Sequence, residues 1–201
     1  MAGRYPRAGA IGAQWGPARL PAARALDACR LSRYARLATP GGKRLEYAHV
    51  FMNASRAAVT PSADALLLPH WSEPDWMALL SRTTLRRVAA SEIIIARGTE
   101  ERCLYFTVAG EYEVGGAYIG GMSFTSLARI PTGSVFGEQS FFDGLPRSAN
   151  VWAHATGELL VLPFEGYAAL AAAAPALARD LAFALARILS LRLRSTTVRV
   201  H

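Results

Sequence analysis

Between Glu92 and Leu162 the chain never runs far before a glycine or a proline breaks it. Glu92-Ile93-Ile94-Ile95-Ala96 is a β-branched run that ends at the polar stretch Arg97-Gly98-Thr99-Glu100-Glu101. Cys103–Val108 and Glu111–Val114 flank Ala109-Gly110, a tight strand-to-strand turn, and Gly115-Gly116 and Gly120-Gly121 bracket a longer excursion. Ser123–Ile130 leads into Pro131-Thr132-Gly133, and Thr156-Gly157 separates Asn150–Ala155 from Leu159–Leu162. Short segments suited to a pleated surface, punctuated so closely by turn formers, predict an antiparallel sandwich or barrel. The strand–helix alternation that builds a parallel sheet does not occur.

Helices are expected on either side of this region. Ser72-Glu73-Pro74-Asp75 ahead of Trp76–Leu80 reads as a capped start with acids in the first turn, predicting a helix to Thr83 or Thr84. Phe164–Ala174 is Ala-rich, and Pro175 opens a second helix at its favoured first-turn position. Leu177, Leu181, Leu185 and Ile188 recur at helical spacing, while Phe183, Leu189, Leu191 and Leu193 widen the apolar face beyond one contact surface. Two uses of that width stay open: packing on the β-structure alone, or an added partner helix in a dimer.

Charge is confined to one end. Residues 1–44 hold nine of the 22 basic groups and one acid, Asp27, which leaves 13 basic against 14 acidic residues in the remainder. The net charge of +7 therefore belongs to the N-terminal segment, and the folded part has no basic excess to suggest nucleic-acid binding. Breakers (Gly9, Gly12, Gly16, Pro17, Pro21, Pro40-Gly41-Gly42) interrupt this segment, with room for one short helix over Pro21–Leu37. Three readings of it stand: a solvated tail, a basic arm for an anionic partner, or untranslated sequence ahead of a start at Met52. The longest apolar stretch, Ala168–Ala178, contains Pro175 and is too short to span a bilayer. No secretory signal opens the chain, and Cys29 and Cys103 lack metal-like spacing, so a reducing cytoplasmic setting is expected. His49, His70, His154 and His201 are scattered, without a paired-histidine metal motif or a nucleophile turn. No catalytic residue, metal site or cofactor is expected.

The stretch from Gly133 to Ala149 carries the chemistry. Gly137 lets a ligand approach the backbone because no Cβ stands in the way. Glu138–Phe142 can form one helical turn whose free N–H groups face an anion. Asp143-Gly144 reverses the chain, and Pro146 fixes the backbone before Arg147, whose planar fork suits phosphate oxygens. Ser148 adds a hydroxyl and Ala149 leaves room beside it. Glu138 would repel a phosphate but can accept a hydrogen bond from a sugar hydroxyl. One acid for a ribose and one arginine for a singly charged phosphate match a cyclic nucleotide. They suit ATP poorly, since neither a P-loop lysine nor a metal-binding acid accompanies them. Phe136, Phe141 and Phe142 are expected to be core anchors.

Phe136-Gly137-Glu138 followed by Pro146-Arg147-Ser148-Ala149 resembles the phosphate-binding cassette of the cyclic nucleotide-binding domains found in bacterial catabolite activators, cyclic-nucleotide-dependent kinases and gated channels. The spaced glycines Gly98, Gly110 and Gly133 and the run Leu104-Tyr105-Phe106 add to the likeness, which covers Trp71 to Arg194. The resemblance implies an α+β fold: an antiparallel β-roll (a double-stranded β-helix of jelly-roll type) flanked by an N-terminal helix and C-terminal capping helices. It implies a ligand site at Phe136, Gly137, Glu138, Gln139, Ser140, Pro146, Arg147, Ser148 and Ala149. In it Glu138 would bind the ribose 2′-hydroxyl, and Arg147 and Ser148 the cyclic phosphate. A terminal helix capping the purine would make Leu185, Ile188 and Leu189 lid residues. Gln139 departs from the family, which often has an aliphatic residue there.

The expected organisation is a basic extension over 1–70, a cyclic nucleotide-binding domain over 71–194 and a tail over 195–201. Only Ser195–His201 follow Arg194, too few for the helix-turn-helix with which activators of this family read DNA. The expected function is a cyclic nucleotide sensor, cAMP favoured over cGMP, acting on a protein effector and with a possible homodimer through the C-terminal helix. Two alternatives are a dimerisation or scaffold domain of the same fold without ligand, and a regulator tethered to an anionic partner by its basic arm.

Overall fold

The computed structural model describes residues 41–57, 65–117 and 124–199. The helix expected over Pro21–Leu37, most of the basic arm and the Gly120-Gly121 pair lie outside the described residues. The described elements run α1 (Gly41–Ala57), α2 (Glu73–Leu80), β1 (Thr84–Val88), β2 (Ile93–Ile95), β3 (Cys103–Ala109), β4 (Tyr112–Ala117), β5 (Phe124–Ile130), β6 (Val135–Phe136), α3 (Glu138–Asp143), β7 (Asn150–Ala153), β8 (Gly157–Pro163), α4 (Phe164–Ala173) and α5 (Pro175–Arg199). The strands form two four-stranded antiparallel sheets, ordered β1-β8-β3-β6 and β2-β7-β4-β5. This is an α+β fold with helices flanking an antiparallel β-roll, as the turn spacing predicts.

Pleating explains the continuous apolar runs of β3 and β8. Tyr105 and Cys103 on one side, with Val161 and Leu159 of β8, pack between the sheets with Phe136, Tyr112, Val151 and Ile95. Leu104, Phe106, Leu160 and Leu162 point the other way and meet the helices through Phe51, Trp76, Leu79, Leu181 and Leu185. A strand buried on both faces has no polar face to alternate with, hence the unbroken hydrophobicity.

Two elements differ from expectation. The helix begun at Ser72 stops at Leu80, and Thr84–Val88 is a strand whose Arg86 is buried against Glu92, their side chains 2.9 Å apart. The folded unit also starts well before Trp71. In α1, Tyr47, Ala48 and Phe51 are buried, Phe51 stacking on Trp76 with centroids 5.1 Å apart, and Leu66 and Leu68 join the same core. Residues 41–57 and 65–70 therefore belong with the domain, not with an extension, and a chain started at Met52 would lack Phe51, which is fully buried.

A polar contact also holds α1 in place. Glu158 of β8 accepts from the Tyr47 hydroxyl at 2.7 Å and Arg87 Nε at 3.1 Å, with Lys43 Nζ 3.9 Å away. Burial alone would raise the Glu158 carboxyl, but the bonds from Tyr47 and Arg87 and the charges of Lys43 and Arg87 outweigh it and hold the group below its ordinary range. A depressed folded-state pKa contributes stability above the unfolded carboxylate range, and that contribution is lost as pH falls through the folded value. Glu158→Gln is thus expected to cost about 1 kcal/mol at neutral pH. In urea titrations the gap from the parent should close under acid conditions; a gap independent of pH would show that the ionised carboxylate is not what matters.

Candidate ligand site

The turn after β6 is built on a left-handed residue. Gly137 has φ +88°, and a Cβ there would lie 2.8 Å from both Arg147 Nη1 and the Cys103 carbonyl oxygen. From it springs the single turn and a half of α3, closed by Gly144 at φ +70°, whose N–H returns to the Ser140 carbonyl. The loop beyond brings Arg147 back alongside. Its backbone N–H donates to the Thr99 carbonyl and its own carbonyl accepts from Gly98 N–H, tying the returning segment to the β2–β3 loop.

Arg147 is 4% exposed. Its Nη1 donates to the Gly137 carbonyl at 2.9 Å and its Nη2 to the Cys103 carbonyl at 3.0 Å, while the Glu101 carboxylate lies 3.9 Å away. Glu101 in turn accepts from the Tyr105 hydroxyl, whose pKa is raised by burial first and by that carboxylate second. Tyr105 stacks on Phe136 at 5.0 Å between centroids, giving the guanidinium a rigid floor. Arg147 Nε is buried and has no partner among the described residues.

Glu138, 5% exposed, is held from the opposite side. Its Oε1 accepts from Arg192 Nη1 of α5 at 2.6 Å, and Arg192 Nη2 donates to the Val135 carbonyl at 2.9 Å. Between these walls lies a cavity of about 830 Å³. Of the nine cassette residues singled out in the sequence, all but Pro146 line it, so the turn and the returning arginine do face one hollow. Gln139 is exposed and takes the Ser148 hydroxyl on its amide oxygen, which explains why a polar residue is tolerated where an aliphatic one was expected.

The helical wall differs from the sequence expectation. Leu189 lines the cavity, but Leu185 and Ile188 are fully buried in the core beneath α5 and do not. Their place is taken by Arg192, Leu193 and Thr196, one to two turns further on. Arg192 was legible in principle: the stripe Leu181, Leu185, Ile188 continues at helical spacing onto an arginine, a charge on a face otherwise buried. Phe136 and Phe141 are core residues, whereas Phe142 is 38% exposed, since adjacent residues of a helix point to different faces and Phe141 takes the inward one.

Among the described residues no cluster of His, Cys, Asp or Glu could hold a metal ion, and no helix is long and apolar enough to cross a membrane. Residues 85–173 match the family model of the cyclic nucleotide-binding domain. The chain is 38% identical over 94 residues to the cyclic AMP receptor protein of Thermus thermophilus, a stretch that is 47% of this chain and 43% of the relative, so it spans less than half of that relative's length. Among solved structures, a cyclic nucleotide-binding domain from Methylobacillus flagellatus superposes with a TM-score of 0.65 at 21% identity over 78% of this chain and 83% of that one. The catabolite activator protein of Thermus thermophilus gives 0.58 at 29% identity over 66% and 60%. The β-roll, the glycine-hinged turn and the returning arginine are thus found in a segment, residues 85–173, that is similar to the cyclic nucleotide-binding domain family.

Proposed function

We propose that the domain is a sensor that binds a cyclic nucleotide, cAMP in preference to cGMP, in the cavity between the cassette and α5. The observation that carries the reading is Arg147: a buried guanidinium on the cavity wall whose Nε is unmatched among the described residues. An unsatisfied buried donor costs about 1–3 kcal/mol, more when charged, and an incoming phosphate oxygen removes that cost. The Ser148 hydroxyl beside it, which donates to the Gln139 amide oxygen here, would turn to the phosphate as a second donor. Glu138 is the ribose acceptor. A carboxylate takes more than one hydrogen bond, so the one from Arg192 leaves capacity for a 2′-hydroxyl. The preference for cAMP draws on the likeness to a cyclic AMP receptor protein.

Closure of α5 over the base would be the output step. Because Arg192 of α5 bonds Glu138 and the Val135 carbonyl, a ligand that touches Glu138 also touches the helix, and differential contact shifts its population. Isothermal titration with cAMP and cGMP tests the reading. Saturable binding supports it; no heat and no thermal shift at millimolar nucleotide would favour the ligand-free scaffold. Glu138→Ala is expected to weaken cAMP about tenfold or more and 2′-deoxy-cAMP far less, and equal losses for the two would contradict the ribose role.

A second copy of this chain is the partner that α5 suits. Phe183 is 78% exposed and, with the exposed Ala186 three residues on, faces away from the cavity that Ser190 and Leu193 of the same helix line. Light scattering after size exclusion should give a dimer for the parent and a monomer for Phe183→Glu; a monomeric parent would remove this partner.

A further inference from the structure

Residues 101–103 touch both ends of the cassette. Glu101 and the Cys103 carbonyl face Arg147, as described above, but Arg102 points the other way and reaches the far end of α3. Its Nε donates to the Phe141 carbonyl at 3.0 Å. The last carbonyls of a helix have no partner within it, and a cationic donor there also meets the negative end of the helix dipole. The same guanidinium lies over Phe164, the first residue of α4, its carbon 3.6 Å from the ring centroid. The Arg102 carbonyl accepts from Phe164 N–H at 2.9 Å, so one residue grips the start of α4 through both backbone and side chain.

The contacts continue without a gap. Phe141, beneath the bonded carbonyl, packs against Phe164 and Tyr167 with centroids 5.4 Å apart in each case. Tyr167 donates its hydroxyl to the Ala178 carbonyl in the first turn of α5 at 3.1 Å. Beside the direct bond from Arg192 to Glu138, these contacts make a packed route from α3 to α5, and within it Arg102 is the charged member and the one outside α3 that hydrogen-bonds the cassette helix.

We propose that Arg102 is a positioning residue of the ligand site: it fixes the C-terminal end of α3 against α4, so that the cassette is held in its binding geometry and its movements are passed to the helices behind it. This rests on the cyclic nucleotide reading for its ligand, although not for its geometry. Neither partner of Arg102 lines the cavity, so the residue acts through α3 and not by touching nucleotide.

The test combines cAMP dissociation from the folded fraction with amide hydrogen exchange of the ligand-free protein, for the parent, Arg102→Ala, Arg102→Lys and Phe164→Leu. Arg102→Ala should raise the Kd for cAMP about tenfold, mostly through faster dissociation, and speed exchange across residues 138–144 while the amides of β3 and β8 keep parent rates. Arg102→Lys should recover part of the loss, since it returns a cationic donor without the flat fork. Phe164→Leu should add little to Arg102→Ala when the two are combined, because the first change has already broken the stack. A parent-like Kd in Arg102→Ala, or parent-like exchange in α3, overturns the proposal. If the parent itself binds neither cAMP nor cGMP, the ligand reading is what fails, and α3 exchange alone then decides whether Arg102 positions the cassette.

Discussion

Arg147→Ala is expected to weaken cyclic nucleotide binding by on the order of 2–4 kcal/mol, a rise in Kd of roughly thirty- to a thousandfold. The size follows from burial. A guanidinium 4% exposed has already given up its water, so the anion it meets needs little further desolvation of the protein. Its two terminal nitrogens are held by the Gly137 and Cys103 carbonyls, which fixes the fork before any ligand arrives. That same fixing gives the residue a structural share: alanine would leave two carbonyls and the Glu101 carboxylate without their cation. Affinity must therefore be measured on the folded fraction, with urea midpoints beside it. Arg147→Lys separates the two roles, because an ammonium keeps the charge but has no fork to satisfy both carbonyls and a phosphate together. It should recover under half of the lost binding energy. Unchanged cAMP affinity in Arg147→Ala, once corrected for folding, would remove the phosphate role outright.

How much of this was legible in the sequence depends on how local each signal is. The cassette was readable because its parts lie within a dozen residues: a glycine, an acid, a tight reversal, a proline and an arginine. Local chemistry there constrains the geometry closely, and α3 forms over the residues the turn signals mark out. Strands β2 to β5, β7 and β8 were readable from closely spaced turn signals for the same reason, whereas the two-residue β6 was not. What escaped was decided by tertiary partners. Leu85-Arg86-Arg87-Val88 lies past the expected helix end with no assignment, yet Arg86 is buried because Glu92, beyond the turn, neutralises it. Helix α1 begins within Pro40-Gly41-Gly42 and looks like the end of a broken arm. Its Tyr47, Ala48 and Phe51 become core only because Trp76 and Phe106 stand opposite. The helical wall of the cavity includes Leu189 but otherwise lies one to two turns beyond Leu185 and Ile188. Helical spacing identifies which residues share a face, but not how far along the helix the β-roll ends and the cavity begins.

Gly137→Ala should be the most damaging single methyl that can be added to the site, and two separate effects compound. The backbone at φ +88° is left-handed, which costs an alanine about 1–2 kcal/mol. The new Cβ would also sit 2.8 Å from the Cys103 carbonyl oxygen and from Arg147 Nη1, and 3.3 Å from the Tyr105 ring. None of these neighbours yields cheaply: the carbonyl belongs to β3, buried along six of its seven residues, and the guanidinium is pinned at both ends. Overpacking of this kind costs about 1–3 kcal/mol, giving roughly 2–5 kcal/mol of stability in all. The clash falls on the atom that holds the phosphate-binding fork, so cAMP affinity should drop at least tenfold beyond what unfolding explains. Gly98→Ala supplies the control, since Gly98 shares the left-handed backbone at φ +84° but a Cβ there meets nothing within 4 Å. It should show the conformational cost alone, near 1 kcal/mol, with little change in ligand affinity. Were both substitutions to lower stability and affinity by equal amounts, the contact between Gly137 and Arg147 would have no part in organising the site.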